Sequence, residues 1–256
     1  MTSAPDQIAT SEKPAEVLSR GNNADGATAR ANPKPLFRRI LKQVNHLRCK
    51  AWDLSHNVDT CGEIPLTSLA FQSLNKRPGL EYQSHHPRII RDAFMMLRIP
   101  YEQYTFIDFG CGKGRVLLIA SEFPFRRIVG LEFAPPLAQI AKSNLESYRS
   151  RSRKSHSLEV LAVDATSYDP PPEPEVLYFY SPFTGPVMEQ VILNIEQSLR
   201  RCPRELLVLF SGIPVMRDRA FGSRPQYQRL WRERHFDLYR YCGQVIAATE
   251  SPRSPA

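Results

Sequence analysis

Apolar positions follow two different periods along this chain. Leu36, Phe37, Ile40, Leu41, Val44 and Leu47 recur at helical spacing, with Arg38, Arg39, Lys42 and Arg48 mostly between them. This predicts a packed amphipathic helix over residues 36–53. A second helical pattern starts at Pro87, with Ile89, Ile90, Ala93, Phe94 and Leu97 on one side, and stops before Pro100. From Thr105 the period changes, and short apolar runs alternate with helical stretches as in a parallel sheet with crossover helices. The predicted strands are Thr105–Phe109, Arg127–Glu132, Leu158–Val163, Val176–Tyr180 and Leu206–Ser211. Helices are predicted near 114–122, 135–148 and 187–200. Phe236–Cys242 and Val245–Thr249, joined at Gly243-Gln244, predict a hairpin and an antiparallel edge strand. Residues 1–34 hold no aromatic and little apolar surface, which predicts a disordered arm. Residues 54–80 are turn-rich and receive no element.

Composition narrows the class. The 256 residues are 42% apolar and 23% charged, which excludes a wholly disordered or fibrous protein. No window approaches the 18 uninterrupted apolar residues of a membrane-spanning helix. The N-terminus has no apolar stretch behind positive charge, so the expectation is a cytoplasmic protein without a membrane partner. Five scattered cysteines form no CxxC pair, the pattern of reduced thiols, and no metal site is expected. The net charge of +8 raises the prior for an acidic partner, but its distribution matters more. Residues 36–100 and 201–256 each carry a net +5, while residues 101–200 carry −2.

The chemistry is concentrated in Thr105-Phe-Ile-Asp-Phe-Gly-Cys-Gly-Lys-Gly-Arg-Val-Leu-Leu-Ile-Ala120. A buried strand runs into Gly110, Gly112 and Gly114 and then into an apolar helix. Glycines there permit a tight turn and let a ligand touch bare backbone. A dinucleotide turn has the spacing G-x-G-x-x-G, but position 115 is arginine. Asp108, two residues before the first glycine, would repel a pyrophosphate and support a cationic ligand end, as in S-adenosylmethionine. The second strand ends at Glu132, where an acid can take both ribose hydroxyls. The third ends at Asp164, placed to receive an adenine amino group. Cys111, Phe133 and Ala165 adjoin these acids and glycines and complete the candidate cofactor set.

On Asp108-Phe-Gly-Cys-Gly-Lys-Gly114, Glu132, Asp164 and Tyr178-Phe-Tyr-Ser-Pro-Phe183, residues 105–212 resemble a class I, Rossmann-like S-adenosylmethionine-dependent methyltransferase. Asp59 to Leu80 and Phe125-Arg-Arg-Ile-Val-Gly-Leu-Glu132 are similar to little-characterised bacterial members of that superfamily. The resemblance implies an α/β three-layer sandwich whose mostly parallel seven-stranded sheet has an antiparallel last strand, preceded by N-terminal helices. It divides the chain into a disordered arm (1–34), a helical extension or cofactor lid (35–100), a methyltransferase domain (101–250) and a tail (251–256). Tyr180, Ser181, Pro182 and Phe183 are similar to the Asn/Asp-Pro-Pro-Tyr/Phe motif of N-methyltransferases and are the candidate catalytic residues. In that motif a side-chain oxygen and a proline carbonyl accept from the target amine while the aromatic ring stacks on it. Ser181 departs from it, because a hydroxyl reaches less far than an amide.

Tyr82 is a candidate aromatic contact for the cofactor, and His85-His86 are either a base or metal ligands, or else loop residues. Ten arginines between residues 200 and 240, interleaved with Tyr227, Trp231, Phe236 and Tyr239, suit either phosphate contact or a solvated helix with core aromatics. The expected activity is methyl transfer to a nitrogen of a macromolecule, protein or RNA. A non-catalytic cofactor-binding regulator and a small-molecule methyltransferase remain as alternatives.

Overall fold

Thr105–Phe109 has five consecutive side chains out of water, as a strand covered on both faces requires. The computed structural model describes residues 35–64, 82–83, 86–180, 183, 185–212 and 214–243. In chain order the first elements are α1 (Pro35–His56), a short antiparallel pair β1 (Glu63–Ile64) and β2 (Tyr82–Gln83), and α2 (Pro87–Leu97). The alternating part follows as β3 (Thr105–Phe109), α3 (Arg115–Ala120), β4 (Arg127–Leu131), α4 (Pro135–Ser147) and β5 (Leu158–Leu161). It continues with β6 (Glu175–Tyr180), α5 (Pro186–Arg201), β7 (Leu206–Ser211), α6 (Pro214–Arg217), β8 (Tyr227–Arg232) and β9 (Phe236–Tyr241).

Seven strands form one sheet in the order β5-β4-β3-β6-β7-β9-β8. The first five in that order run parallel, and β9 is antiparallel to both β7 and β8, so β9 alone runs against the rest. Side-chain alternation along β6 shows how the layers divide. Val176, Tyr178 and Tyr180 face the cluster formed with α2, α3 and α4, while Leu177 and Phe179 face the cluster formed with α5. Helices on both faces of a mostly parallel sheet make the Rossmann-like α/β sandwich that the strand and helix pattern predicts. Strand order reverses between β3 and β6, the place where open α/β sheets bind ligands at the carboxyl ends of their strands.

Three details differ from the sequence reading. The hairpin partner of β9 is β8 on its N-terminal side, so β9 is an inner strand and β8 is the edge; residues 245–249 lie outside the described residues. Tyr227, Leu230 and Trp231 are at helical spacing but lie in a strand. A register shift between Arg229 and Trp231 leaves Leu230 at a bulge, and this extra residue imitates the helical period. Finally, α1 forms, but Ile40, Val44 and Leu47 point into solvent. The helix docks instead through a polar face described below. The expected arm 1–34 and tail 251–256 lie outside the described residues.

Candidate functional site

The turn after β3 places three glycines at positive φ: Gly110 at 83°, Gly112 at 54° and Gly114 at 84°. These are left-handed values that a side chain opposes. The Gly110 and Cys111 N–H groups both donate to the Leu131 carbonyl at 2.9 Å, tying the turn to the end of β4. Chain crowding adds to the requirement at Gly114, where a Cβ would lie 3.3 Å from that of Ala141 on α4.

Two acids stand around this turn. Glu132, just past β4, accepts the Gly112 N–H on Oε2 and the Ala134 N–H on Oε1, each at 2.9 Å. Burial pushes its carboxyl up to about 7, although these backbone donors pull the other way. Asp108 on β3 is buried too, and burial with the neighbouring Glu132 charge holds its carboxyl well above the usual carboxylate range. The Cys111 thiol is raised by the same causes, burial first and then Asp108 and Glu132. The third strand ends earlier than the sequence reading has it, at Leu161, and beyond it Asp164 Oδ1 accepts the Thr166 N–H at 2.9 Å and the Thr166 hydroxyl at 2.7 Å, capping the short turn Ala165–Ser167. Ala165 is buried and Phe133 half-buried beside these acids in sequence.

This donor and acceptor set discriminates between ligands. A pyrophosphate would add negative charge beside two buried acids that already resist ionisation, so it does not fit. A ligand bringing a positive charge and hydroxyl donors does fit, because the charge favours ionised Asp108 and the hydroxyls need acceptors. S-adenosylmethionine has both.

The register places the acceptor candidates beside the turn. Asp108 pairs with Tyr178 and Phe109 with Phe179 across β3 and β6, so Tyr180 lies one residue beyond the last pair, level with Gly110. Tyr180 is partly buried, and burial raises its phenol. Phe183 is buried with its ring edge-on to Phe179 at 6.4 Å between centroids. Ser181 and Pro182, and the side chain of Tyr82 in β2, lie outside the described residues. His86 is the N-cap of α2, its Nδ1 accepting the Arg88 N–H at 3.2 Å, which is the loop role among the readings of the histidine pair. His85 is not among the described residues.

The sequence reading missed the polar latch that fastens α1 to the glycine turn. Arg115 donates to Asp53 at 2.9 Å and to Thr60 at 2.7 Å, and its guanidinium stands 5.1 Å from the centre of the Trp52 ring. Asp53 also accepts the Thr60 and Cys61 N–H groups at 2.7 and 2.6 Å. Lys113 bonds Asp59 at 3.0 Å and the Cys61 carbonyl at 3.2 Å, and Asn144 of α4 bridges Asp59 and Lys113. The available signal was Lys113 and Arg115 themselves, two charges inside a run that is otherwise buried. Their partners lie more than fifty residues away and no local spacing marks them.

The arginine-rich end is mostly committed internally. Seven of its ten arginines make ion pairs: Arg201–Asp169, Arg204–Glu175, Arg217–Asp237, Arg224–Glu189, Arg229–Asp218, Arg232–Asp218 and Arg240–Glu205. The interleaved aromatics pack against one another, Trp231 on Phe236 and Tyr227 on Phe221. They belong to a strand hairpin and its support, so the core reading of these rings holds while the helical one does not.

Strand order, the single antiparallel strand and the glycine turn between β3 and α3 are those of the Rossmann-like seven-stranded fold that the sequence resemblance implies. No family model matches the sequence. Over 103 residues the chain is 31% identical to trans-aconitate 2-methyltransferase of Methylobacterium radiotolerans, a match that takes in 40% of this chain and 36% of that protein. It thus spans little more than a third of that curated relative's length. Among solved structures, the candidate RNA methyltransferase PH1948 of Pyrococcus horikoshii is similar with a TM-score of 0.48 and 13% identity, over 71% of this chain and 94% of that one. The 23S rRNA methyltransferase ErmE is similar at 0.43 and 11%, over 63% and 69% of the two chains. Among the described residues no helix is long and apolar enough to cross a membrane.

Proposed function

We propose that the chain is an S-adenosylmethionine-dependent methyltransferase directed at a nitrogen of a macromolecular acceptor, protein or RNA. The observation that carries the cofactor is the pair of buried acids, Asp108 and Glu132, around a turn of three left-handed glycines. When bound, the cofactor supplies a methyl group on a cationic sulfur. In this reading Asp108 balances the cofactor's positive end, and Glu132 takes the ribose hydroxyls while keeping the turn closed. Asp164 and Ala165 border the base, with Cys111 and Phe133 lining the same crevice and Tyr82 covering it.

Transfer between a sulfonium and an amine asks the protein mainly to align the reactants and exclude water. Ser181 and the Pro182 carbonyl would accept from the amine, aiming its lone pair at the methyl group. Tyr180 and Phe183 would wall the acceptor side, Phe183 by supporting the turn from its buried place against Phe179. One observation favours a second reading, a small-molecule acceptor. Arg204 and Arg217 are buried in ion pairs and five more of these arginines pair nearer the surface, which leaves less arginine charge for a phosphate backbone than the composition suggests.

Incubating the protein with methyl-labelled S-adenosylmethionine and cell lysate, then separating protein, RNA and small molecules, tests both readings. Label in protein or RNA is expected. Label only among small molecules overturns the macromolecular acceptor, and no label in any fraction despite cofactor binding leaves a regulator without turnover.

A further inference from the structure

The two faces of α1 are reversed relative to an ordinary surface helix. The face toward the domain is polar apart from Trp52, which packs on the core: the His46 ring and carbonyl meet Cys61 Sγ, Cys49 Sγ meets Arg115, Asp53 pairs with Arg115, and the His56 ring stacks near Tyr148 at 5.6 Å. The outward face is apolar. Ile40, Val44, Leu47, Ala51 and Leu54 are all exposed, Leu47 at 67% and Leu54 at 83%. At 100° per residue these five fall within an arc of about 80°, a single stripe about 21 Å long. Soluble surfaces carry scattered apolar side chains without consequence, but a continuous stripe on the outer face of one helix marks a contact.

Charge selects the occupant. Arg48 and Lys50, both exposed, lie about 80° to either side of the middle of the stripe. The sequence of α1 holds one acid, Asp53, and it is buried in the latch with Arg115. A second copy of α1 laid on the stripe would bring basic flanks against basic flanks, with no outward acid to meet them. An RNA would offer phosphates to Arg48 and Lys50 but nothing apolar along the whole stripe. An anionic bilayer surface answers both features: acyl chains take up Ile40, Val44, Leu47 and Leu54, while the flanking cations stay at the level of the headgroups.

We propose that the outward face of α1 seats the protein on a membrane surface containing anionic lipid. The helix lies in the interface and does not span it, which is compatible with the lack of a spanning segment among the described residues. The domain side of α1 is already latched to Arg115 through Asp53 and Cys49, and the loop after it to Lys113 and Asn144 through Asp59, so docking needs no unfolding of the helix from the sheet. This proposal is independent of the proposed activity. It requires only α1 and its docked orientation.

Sedimentation of the full chain with vesicles tests it, comparing phosphatidylcholine alone with phosphatidylcholine containing phosphatidylglycerol. The chain is expected to pellet with the anionic vesicles, less as salt is raised, and weakly with the neutral ones. Leu47→Glu with Leu54→Glu should weaken partition at least about tenfold. Helical circular dichroism and S-adenosylmethionine affinity should stay unchanged, since both positions face solvent. Arg48→Gln with Lys50→Gln should lower binding to anionic vesicles alone, a second route if the first variant folds poorly. Absence of the wild-type chain from anionic pellets, or full binding by the Leu47→Glu/Leu54→Glu variant, overturns the proposal. A concentration-dependent dimer that this variant abolishes, without vesicle binding, reassigns the stripe to a second copy and also overturns it.

Discussion

A methyl group on residue 130 would lie 2.5 Å from Leu117 Cδ1 and 2.7 Å from Cys111 Sγ. Gly130 is the β4 partner of Asp108 in register, so this small residue lets the glycine turn and α3 close down on the sheet beside the acids. Gly130→Ala is therefore expected to cost about 1–3 kcal/mol in urea unfolding, through overpacking and not through any lost contact. Asp108 itself should be a liability to the fold when no cation is near. A buried acid with a raised pKa binds its proton more tightly folded than unfolded. Its destabilisation is absent below the ordinary carboxylate range and grows as pH rises toward the folded value. Asp108→Asn should accordingly raise Tm at neutral pH, with the difference shrinking in acid, while S-adenosylmethionine affinity falls. A variant that loses stability at neutral pH would contradict this account of Asp108.

Apart from Trp52, which packs on the core, α1 is attached through polar groups. Removing one partner of a buried pair leaves an uncompensated charge and typically costs about 3–5 kcal/mol. Here the cost is concentrated locally, because Arg115 and Asp53 join α1 to the turn and not the strands to each other. Arg115→Met should speed hydrogen exchange in α1 well before exchange in β3 or β6, and uniform acceleration across the chain would argue against a latch. Legibility in the sequence follows the same division. β3, its glycine turn, β4 and β6 show in the sequence as largely apolar runs bounded by turn residues, and the candidates Asp108, Glu132 and Asp164 are legible from their places two residues before the first glycine, just past β4 and shortly past β5. The latch does not show, since Asp53 and Arg115 are 62 positions apart and nothing in their neighbourhoods signals the pairing. The orientation of α1 does not show either: periodicity locates an apolar face without saying whether the domain or something else covers it. In β8 a single bulge at Leu230 was enough to convert a strand period into a helical one.

For the whole molecule, charge and site are arranged separately. The central residues 101–200 carry a net −2, and of the C-terminal arginines Arg204 and Arg217 are paired inside the fold while Arg229 and Arg232 share Asp218 nearer the surface. The +5 of residues 36–100 includes Arg48 and Lys50 on the open face of α1, so that part of the net charge is displayed outward. The net charge of +8 thus lies outside the segment that holds the glycine turn and its acids. The donor site should instead respond to pH through Glu132. Burial pushes its carboxyl up to about 7, and the ionised form is the stronger acceptor of two hydroxyls, so cofactor affinity should fall as pH is lowered through that value. Calorimetric titration of S-adenosylmethionine into the wild-type chain and into Asp108→Asn is the most direct test. Saturable binding by the wild type, weakening below about pH 7 and lost in the variant, is the predicted result. Absence of wild-type binding, or equal affinity in the two proteins, would contradict the cofactor site.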